Sequence, residues 1–220
     1  MNLIPFDPSA DFHVHRENLP HWRQRETTYF VTSRLADSLP EKVMEGWRMK
    51  RDEWLNRHGL KSPAELTRLE DEKRHEYHRE FTARFHELLD AGHGQCVLAS
   101  SDCADLLFQR LSAGHEKSYW LDAWCIMPNH LHALVQPAKN SDLGEIIRHW
   151  KGGSAYDINR LLGQSGALWQ KEPFDHIVRS ESQLEHFRKY IAENPLKAGL
   201  KHGFVVGSGK VIQSFSSPPP

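Results

Sequence analysis

The strongest constraint on the fold is a pair of apolar segments separated by only three residues. Residues 119–126 and 130–136 are rich in aromatic and aliphatic side chains, and Met127-Pro128-Asn129 between them has the composition of a turn. Strands joined by so short a connection are neighbours in a sheet and run antiparallel. We therefore predict a β-hairpin in the middle of the chain.

The hairpin is flanked by segments with helical or extended patterns. The predicted elements are a strand over 27–33, helices over 102–112, 141–162 and 181–193, and irregular or extended chain over 169–177. Ser101 is expected to cap the first of these helices, Gly163 to end the second, and the pair Asn194-Pro195 to end the third. This order indicates an α+β fold with one antiparallel-rich sheet and helices packed against it.

Between about residues 40 and 90 the composition changes sharply. This stretch has almost no β-branched residues, is dense in Glu, Lys, Arg and His, and is interrupted by Gly59 and Pro63. Apolar residues recur at helical spacing on both sides of the interruption: Met44, Trp47, Met49 and Trp54, then Leu66, Leu69, Tyr77, Phe81, Phe85 and Leu88 or Leu89. We predict a helical hairpin over 41–90, inserted after the first strand, whose charges form a solvated face.

Length and the two ends of the chain define the predicted domain organisation. The 220 residues suit one domain with a large insertion, which we place at 26–205. Residues 1–25 are polar and rich in Pro, His and Arg, which is typical of an arm or loop. Residues 206–220 end in a run of Ser and Pro and are predicted to form a disordered tail.

Charge and cysteine content limit the classes of function. The 28 Lys and Arg residues are balanced by 29 Asp and Glu, and a net charge of −1 argues against a protein that coats nucleic acid by bulk charge, although it permits a local site. No apolar run approaches the roughly 20 residues that span a bilayer, and the N-terminus lacks a signal-peptide pattern. Three cysteines without CxxC spacing fit a reducing cytoplasm. We expect a cytoplasmic protein with no membrane partner.

The chain has 15 histidines, and two of them lie two residues apart in the second strand of the hairpin. Alternation along a strand sends His130 and His132 to the same face of the sheet, while Leu131 points to the other face. Two imidazoles on one face can hold a divalent metal ion. His13-Val14-His15 has the same spacing but lies in a polar arm without a predicted strand, so we do not expect it to bind a metal.

The last predicted helix carries a tyrosine and an asparagine one turn apart. Leu184, Phe187 and Ile191 form its core stripe, and Tyr190 and Asn194 share a face beside that stripe. A phenol next to a metal-bound phosphate is an effective nucleophile, because the cation neutralises the phosphate and polarises the P–O bond. Asn194 offers a neutral oxygen ligand, although a core-edge tyrosine and a helix-ending asparagine explain the same pattern.

Four motifs in the second half of the chain carry a family resemblance. Residues 124–135, which contain Met127-Pro128-Asn129-His130-Leu131-His132, resemble a segment of the HUH single-tyrosine transposases. Leu168-Trp169-Gln170, Phe174-Asp175-His176 and the segment 190–200 follow, and the four motifs together resemble the REP-associated tyrosine transposases of that group. The resemblance covers about residues 120–200, and residues 29–34 fit the family's first strand. The insertion and the C-terminal tail depart from the family pattern.

The resemblance implies a fold and a chemistry. The family fold is a ferredoxin-like/RRM-like antiparallel sheet with helices on one side, and His130 and His132 would bind Mg²⁺ or Mn²⁺, with Asn194 completing the metal shell. Tyr190 would attack a phosphodiester of single-stranded DNA, forming a 5′-phosphotyrosine and releasing a 3′-OH. The implied substrates are hairpins formed by palindromic repeats, and the protein would act as a monomer or a homodimer.

Several other residues are weaker candidates. Tyr156, in the helix after the hairpin, is a second candidate nucleophile. Trp150 and Trp169 are candidates for stacking on unpaired bases as well as for the core. The candidate DNA-contacting residues, for each of which a solvated surface position is an equal alternative, are Arg148, Lys151, Trp169, Lys171, Arg179, Arg188, Lys189 and Lys197.

Two further functions stay open at this point. A domesticated relative would hold hairpin DNA or RNA on the same sheet without cutting it. A metallohydrolase would use His130 and His132 to activate water, which needs a carboxylate near the pair, and the neighbouring sequence offers none. Formation of a covalent protein–DNA adduct distinguishes the transposase chemistry from both.

Overall fold

The computed structural model describes residues 4–16 and 20–216. The strands are β1 (Phe12–Arg16), β2 (Pro20–Gln24), β3 (Tyr29–Arg34), β4 (Tyr119–Met127), β5 (His130–Pro137), β6 (Phe174–Ile177), β7 (Phe204–Ser208) and β8 (Val211–Ser216). The helices are α1 (Glu41–Arg57), α2 (Asp71–Tyr77), α3 (Ala83–Asp90), α4 (Ser101–Ala113), α5 (Leu143–Leu162) and α6 (Glu181–Lys197). Among these helices, none combines the length and the apolar character that crossing a membrane needs.

The predicted hairpin lies at the centre of a six-stranded sheet with the order β6-β3-β5-β4-β7-β8. All neighbouring strands in this sheet are antiparallel, so the predicted α+β fold, with an antiparallel sheet, packed helices and a helical insertion, is confirmed. Asn129, in the turn between β4 and β5, donates hydrogen bonds from Nδ2 to the backbone oxygens of Leu89 and His93, both at 3.1 Å. These bonds tie the hairpin turn to the end of the insertion.

Helices cover both faces of the sheet because alternate strand residues point into two separate cores. On one face, Leu107 of α4 and Ile147 of α5 lie in the same core as Leu131 of β5. On the other face, Ile191 of α6 lies in one core with Leu134 of β5. The expectation of helices on one side of the sheet is therefore wrong, since α6 packs on the face opposite to α4 and α5.

The charged insertion is helical, as predicted, and contains a small core of its own. Its buried members are Trp54, Leu55, Leu60, Leu66, Tyr77 and Phe81. The second helix of the insertion begins only at Asp71, because residues 63–68 form a 3-10 helix that ends at an extended Leu69. A π-helical turn at His78–Thr82 joins α2 to α3. Met49 is 67% exposed, so its assignment to the apolar stripe is wrong.

Both ends of the chain contain strands that the sequence patterns did not reveal. The predicted N-terminal arm holds the β1–β2 hairpin, where the rings of Phe12 and Trp22 stack 5.1 Å apart, so His13-Val14-His15 lies on a strand after all. The predicted disordered tail is wrong up to Ser216, since β7 pairs with β4 and β8 pairs with β7. Residues 217–220 lie outside the described part of the chain.

The helix ends agree only partly with the predicted signals. Gly163 ends α5 in a left-handed conformation, as predicted, with φ of 61°. Ser100 rather than Ser101 stands at the N-cap position of α4, and no side chain caps this helix. α6 continues through Pro195 to Lys197, so the predicted stop at Asn194-Pro195 is wrong.

A buried ionic cluster attaches the N-terminal hairpin to β6. His21 contacts Asp175 through Nδ1 at 2.7 Å and Glu172 through Nε2 at 3.0 Å. Arg23 donates two hydrogen bonds of 2.8 Å to the same Asp175 carboxylate. The hydrogen bond with Asp175 raises the pKa of His21 above its ordinary value of 6.5. The charged imidazole is therefore the form that the fold favours.

We expect this cluster to make stability fall as the pH rises. The stabilisation from His21 is fully present below about pH 6.5, the pKa of an unfolded histidine, and is lost as the pH rises through the higher folded pKa. The expected loss is about 1 kcal/mol, the scale of a hydrogen bond. Urea unfolding of the wild type and of His21→Gln between pH 6 and pH 9 measures it. Parallel profiles for the two proteins would contradict the expectation.

Candidate active site

Strand alternation brings the two predicted metal ligands together, as expected. His130 and His132 point to the same face of β5 as Leu134, and both are fully buried. Their Nε2 atoms lie 3.0 Å apart. Two nitrogens that each lie about 2.1 Å from one octahedral cation, at a right angle, would be about 3 Å apart. The spacing of the pair therefore fits a shared divalent ion.

Hydrogen bonds at the Nδ1 atoms orient both imidazoles. His130 Nδ1 lies 2.7 Å from Asn129 Oδ1, and since this amide oxygen only accepts, Nδ1 carries the proton and Nε2 keeps its lone pair. His132 Nδ1 lies 2.8 Å from the hydroxyl of Thr32, which can accept in the same way. Such partners fix the tautomer that a metal-binding histidine needs. Burial also lowers the pKa of His130 to about 3 and that of His132 well below 6.5, so both rings are neutral.

A third candidate ligand comes from the insertion and was missed by the sequence analysis. Asp90, the last residue of α3, places Oδ1 3.6 Å from His130 Nε2, and one atom from each of Asp90, His130 and His132 lies within 4.8 Å of the others. Oδ1 of Asp90 is buried without a hydrogen-bond partner among the described residues, and burial raises the pKa of this carboxyl to about 6. Two imidazoles and one carboxylate form a donor set that suits a divalent cation.

The fold therefore supplies the carboxylate that the sequence next to the pair lacks. Forty residues separate Asp90 from His130, and the insertion's charges resemble those of an ordinary solvated helix. The only local signal was the position of Asp90 directly after the buried Leu89. The fold brings the carboxylate to the site through the hydrogen bonds between Asn129 and the end of the insertion.

Tyr190 lies on the same face of the sheet, next to the histidine pair. Its ring centroid is 5.2 Å from that of His132 and 5.8 Å from that of Phe30. Its hydroxyl is 3.0 Å from Nδ1 of His86, a second residue of α3. Burial raises the pKa of Tyr190, so the free protein holds a protonated phenol.

Asn194 is fully buried one helical turn after Tyr190, as the spacing predicts. Its amide is close enough to Asp90 to oppose the rise of the Asp90 pKa. Neither polar atom of the amide reaches a partner at hydrogen-bonding geometry within the described residues. Unpartnered buried oxygens on Asn194 and Asp90, beside two neutral imidazoles, are what an incomplete ligand shell would present.

Comparison with known families assigns the segment that carries most of this geometry. Residues 107–194 match the family model described as "Transposase IS200 like", and this stretch contains the histidine pair, Tyr190 and Asn194. Residues 107–194 are therefore similar to the IS200-like transposases. Asp90 and His86 lie before the matched stretch.

The chain is also similar to curated proteins. It is 29% identical over 93 residues to a provisionally named REP-associated tyrosine transposase of Haemophilus influenzae, covering 38% of this chain and 51% of that protein. It is 24% identical over 93 residues to the REP-associated tyrosine transposase of Escherichia coli K12, covering 41% and 50%. The chain thus spans about half the length of the curated relatives it matches.

A solved structure of a REP-associated tyrosine transposase bound to a REP hairpin is also similar to this chain. The identity is 16% and the TM-score is 0.42, with 82% of this chain and 75% of that chain covered.

The second candidate nucleophile lies away from the histidine pair. Tyr156 is 67% exposed on α5. Since α5 packs on the sheet face opposite to His130 and His132, the Tyr156 phenol is not part of the same site. Tyr190 is the tyrosine that the fold places beside the histidine pair.

Most of the predicted DNA-contacting residues already have protein partners. Trp169 is buried and donates from Nε1 to Ser154, and Trp150 is buried as well, so both tryptophans take the core position that was the alternative to stacking on a base. The other contacts are Lys151 with the backbone oxygens of Gln170 and Lys171, Arg148 with Glu145, Arg188 with Asp122 and Glu185, and Lys189 and Lys197 with Glu193. Lys171 and Arg179 are exposed, and the Arg179 guanidinium lies over the Trp22 ring at 5.4 Å.

Proposed function

We propose that this protein is a metal-dependent endonuclease and strand transferase for single-stranded DNA, acting on hairpins through a covalent 5′-phosphotyrosine at Tyr190. The observation that carries the proposal is the position of the Tyr190 phenol beside the cluster of Asp90, His130 and His132 on one face of the sheet. A nucleophile and a cation-binding cluster in contact are the parts that phosphodiester cleavage requires.

The residues of the cluster fit a divalent ion, Mg²⁺ or Mn²⁺ in this proposal. His130 and His132 would hold it through Nε2, with a carboxylate oxygen from Asp90 and an amide oxygen from Asn194 as further ligands. Bound there, a divalent ion would neutralise the negative charge of a phosphate next to the phenol. The neutral state of both imidazoles at ordinary pH leaves their lone pairs free for this role.

The proposed step exchanges one phosphoester bond for another. The Tyr190 oxygen forms a bond to phosphorus while the bond from phosphorus to the 3′ oxygen breaks. The phenol loses its proton and the 3′ oxygen gains one, which leaves a 5′-phosphotyrosine and a free 3′-OH. Attack by another 3′-OH reverses the exchange and rejoins the strands, so no external energy source is needed.

Hairpin DNA is the proposed substrate because two curated relatives are named as REP-associated tyrosine transposases, one of them provisionally, and the resemblance to that group implies palindromic hairpins. With a net charge of −1, the protein would bind such a substrate through a few placed cations rather than through a broad basic surface. Lys171 and Arg179 are the best placed of the predicted contacts, since both are exposed and neither pairs with a carboxylate among the described residues. A short hairpin needs fewer phosphate contacts than a long duplex.

One observation favours a second candidate function. Asp90 supplies the carboxylate that a metallohydrolase would require, so His130, His132 and Asp90 could instead activate water against a phosphodiester. The two functions differ in their products: a hydrolase leaves no protein attached to the DNA.

The test uses the full chain, Mn²⁺ and single-stranded palindromes from the DNA that flanks its own gene. Strands labelled at the 3′ end are expected to run with the protein on a denaturing gel, and strands labelled at the 5′ end to be released as shorter, protein-free fragments. EDTA is expected to abolish both products. Cleavage without an adduct would support the hydrolase, and tight binding without cleavage would support a hairpin-binding protein.

A further inference from the structure

The helical insertion contacts the nucleophile directly, although it lies outside the stretch that matches the transposase family. His86 and Asp90 are one turn apart on α3, so both side chains face the same side of that helix. Asp90 lies 3.6 Å from His130, and Nδ1 of His86 lies 3.0 Å from the Tyr190 hydroxyl. The same face of α3 therefore contacts both the histidine pair and Tyr190.

The surroundings of His86 are almost entirely aromatic. Its ring centroid is 5.6 Å from Tyr190, 5.8 Å from Phe174 and 6.4 Å from Phe30. Its other nitrogen, Nε2, is buried without a hydrogen-bond partner among the described residues. A buried, unpartnered ring nitrogen is destabilising, so packing alone would favour an apolar side chain at this position. Within the described part of the chain, the Tyr190 hydroxyl is the one hydrogen-bond partner of this imidazole.

We propose that His86 is a positioning residue of the active site, whose hydrogen bond holds the Tyr190 hydroxyl against the cluster of Asp90, His130 and His132. This inference rests on the proposed function and deepens it. The tyrosine ring is already confined by Phe30 and His132, and the bond to His86 fixes the remaining rotation of the hydroxyl. The insertion is accordingly part of the active site rather than an appendage to the domain.

Two substitutions at His86 test the role of the hydrogen bond. His86→Ala removes it, whereas His86→Asn keeps a polar atom close to the position of Nδ1. We expect His86→Ala to slow adduct formation at least about tenfold at saturating hairpin and Mn²⁺, with the Kd for the hairpin within about twofold of wild type. We expect His86→Asn to recover most of the rate.

His186→Ala is the matched control, because His186 is an exposed histidine on the same helix as Tyr190. It is expected to form the adduct at the wild-type rate. A His86→Ala rate within twofold of wild type would overturn the proposal. So would a His86→Asn variant no faster than His86→Ala, because the polar atom near Nδ1 would then not matter.

A second measurement needs neither DNA nor metal. Thermal unfolding midpoints of His86→Ala, Tyr190→Phe and the double variant form a double-mutant cycle. If the two residues are joined by a hydrogen bond, the double variant loses less stability than the sum of the losses in the two single variants. Additive stability losses would contradict the proposed role of His86, whatever the adduct assay shows. A wild-type protein that forms no adduct would instead defeat the proposed function.

Discussion

Tyr190→Phe is expected to abolish the covalent protein–DNA adduct, with a loss of at least about 1,000-fold in the rate of strand cleavage, because no other group replaces a lost nucleophile. The change removes one oxygen atom and leaves the ring in contact with Phe30 and His132. The lost hydrogen bond to His86 costs about 1 kcal/mol of stability, so the variant should stay folded. Binding of the hairpin should be unchanged.

Tyr156→Phe is the control for this substitution, since it removes the same atom from an exposed tyrosine on the opposite face of the sheet. Both variants are assayed with Mn²⁺ and a labelled hairpin on a denaturing gel. An adduct that survives in Tyr190→Phe and disappears in Tyr156→Phe would move the nucleophile to α5. An adduct that persists in both variants would show that neither Tyr190 nor Tyr156 is the nucleophile.

His132→Ala is expected to weaken Mn²⁺ binding by more than about 100-fold, as measured by calorimetric titration of the free protein. Loss of an outer-shell partner costs about 10- to 100-fold in metal affinity, and removal of a ligand costs at least as much. His132 is fully buried and lies 3.0 Å from the other imidazole of the pair, so no solvent-exposed side chain replaces it as a metal ligand. Adduct formation should fall with the metal affinity.

The chain contains its own control for this experiment. His13 belongs to the other His-x-His segment and is exposed on β1, so His13→Ala should bind Mn²⁺ as the wild type does. Equal losses in the two variants would mean that the affinity does not come from the His130–His132 pair. Asp90→Asn in the same titration tests whether the carboxylate is a metal ligand. An unchanged Mn²⁺ affinity would exclude Asp90 and support the ligand set that the family resemblance implies, namely His130, His132 and Asn194.

Local patterns were sufficient for the central elements of the site. Strand alternation is a property of neighbouring residues, so the spacing of His130 and His132 predicted that they share a face. Helical periodicity in the same way predicted that Tyr190 and Asn194 lie one turn apart. The β4–β5 hairpin was predictable because its turn is too short to connect anything but adjacent antiparallel strands.

Elements with weak local signals were predicted wrongly. β1 is held by contacts between Phe12 and Trp22, ten residues apart, and β7 by pairing with β4 across some eighty residues. Gly207 lies so close to β4 that a Cβ there would overlap the ring of Trp124. Propensity says little about such strands, because pairing and burial rather than local preference stabilise them.

The sequence by itself determined the antiparallel hairpin, the paired imidazoles and the tyrosine one turn before an asparagine, since each depends on the repeat of a single strand or helix. Only the tertiary structure decided that the insertion delivers Asp90 to the imidazoles and His86 to Tyr190, and that Tyr156 and Trp169 are excluded from the site. The physical reason is that long-range packing, here the bonds from Asn129 to the end of the insertion, sets these positions. No periodicity within a segment encodes a contact between segments forty or a hundred residues apart.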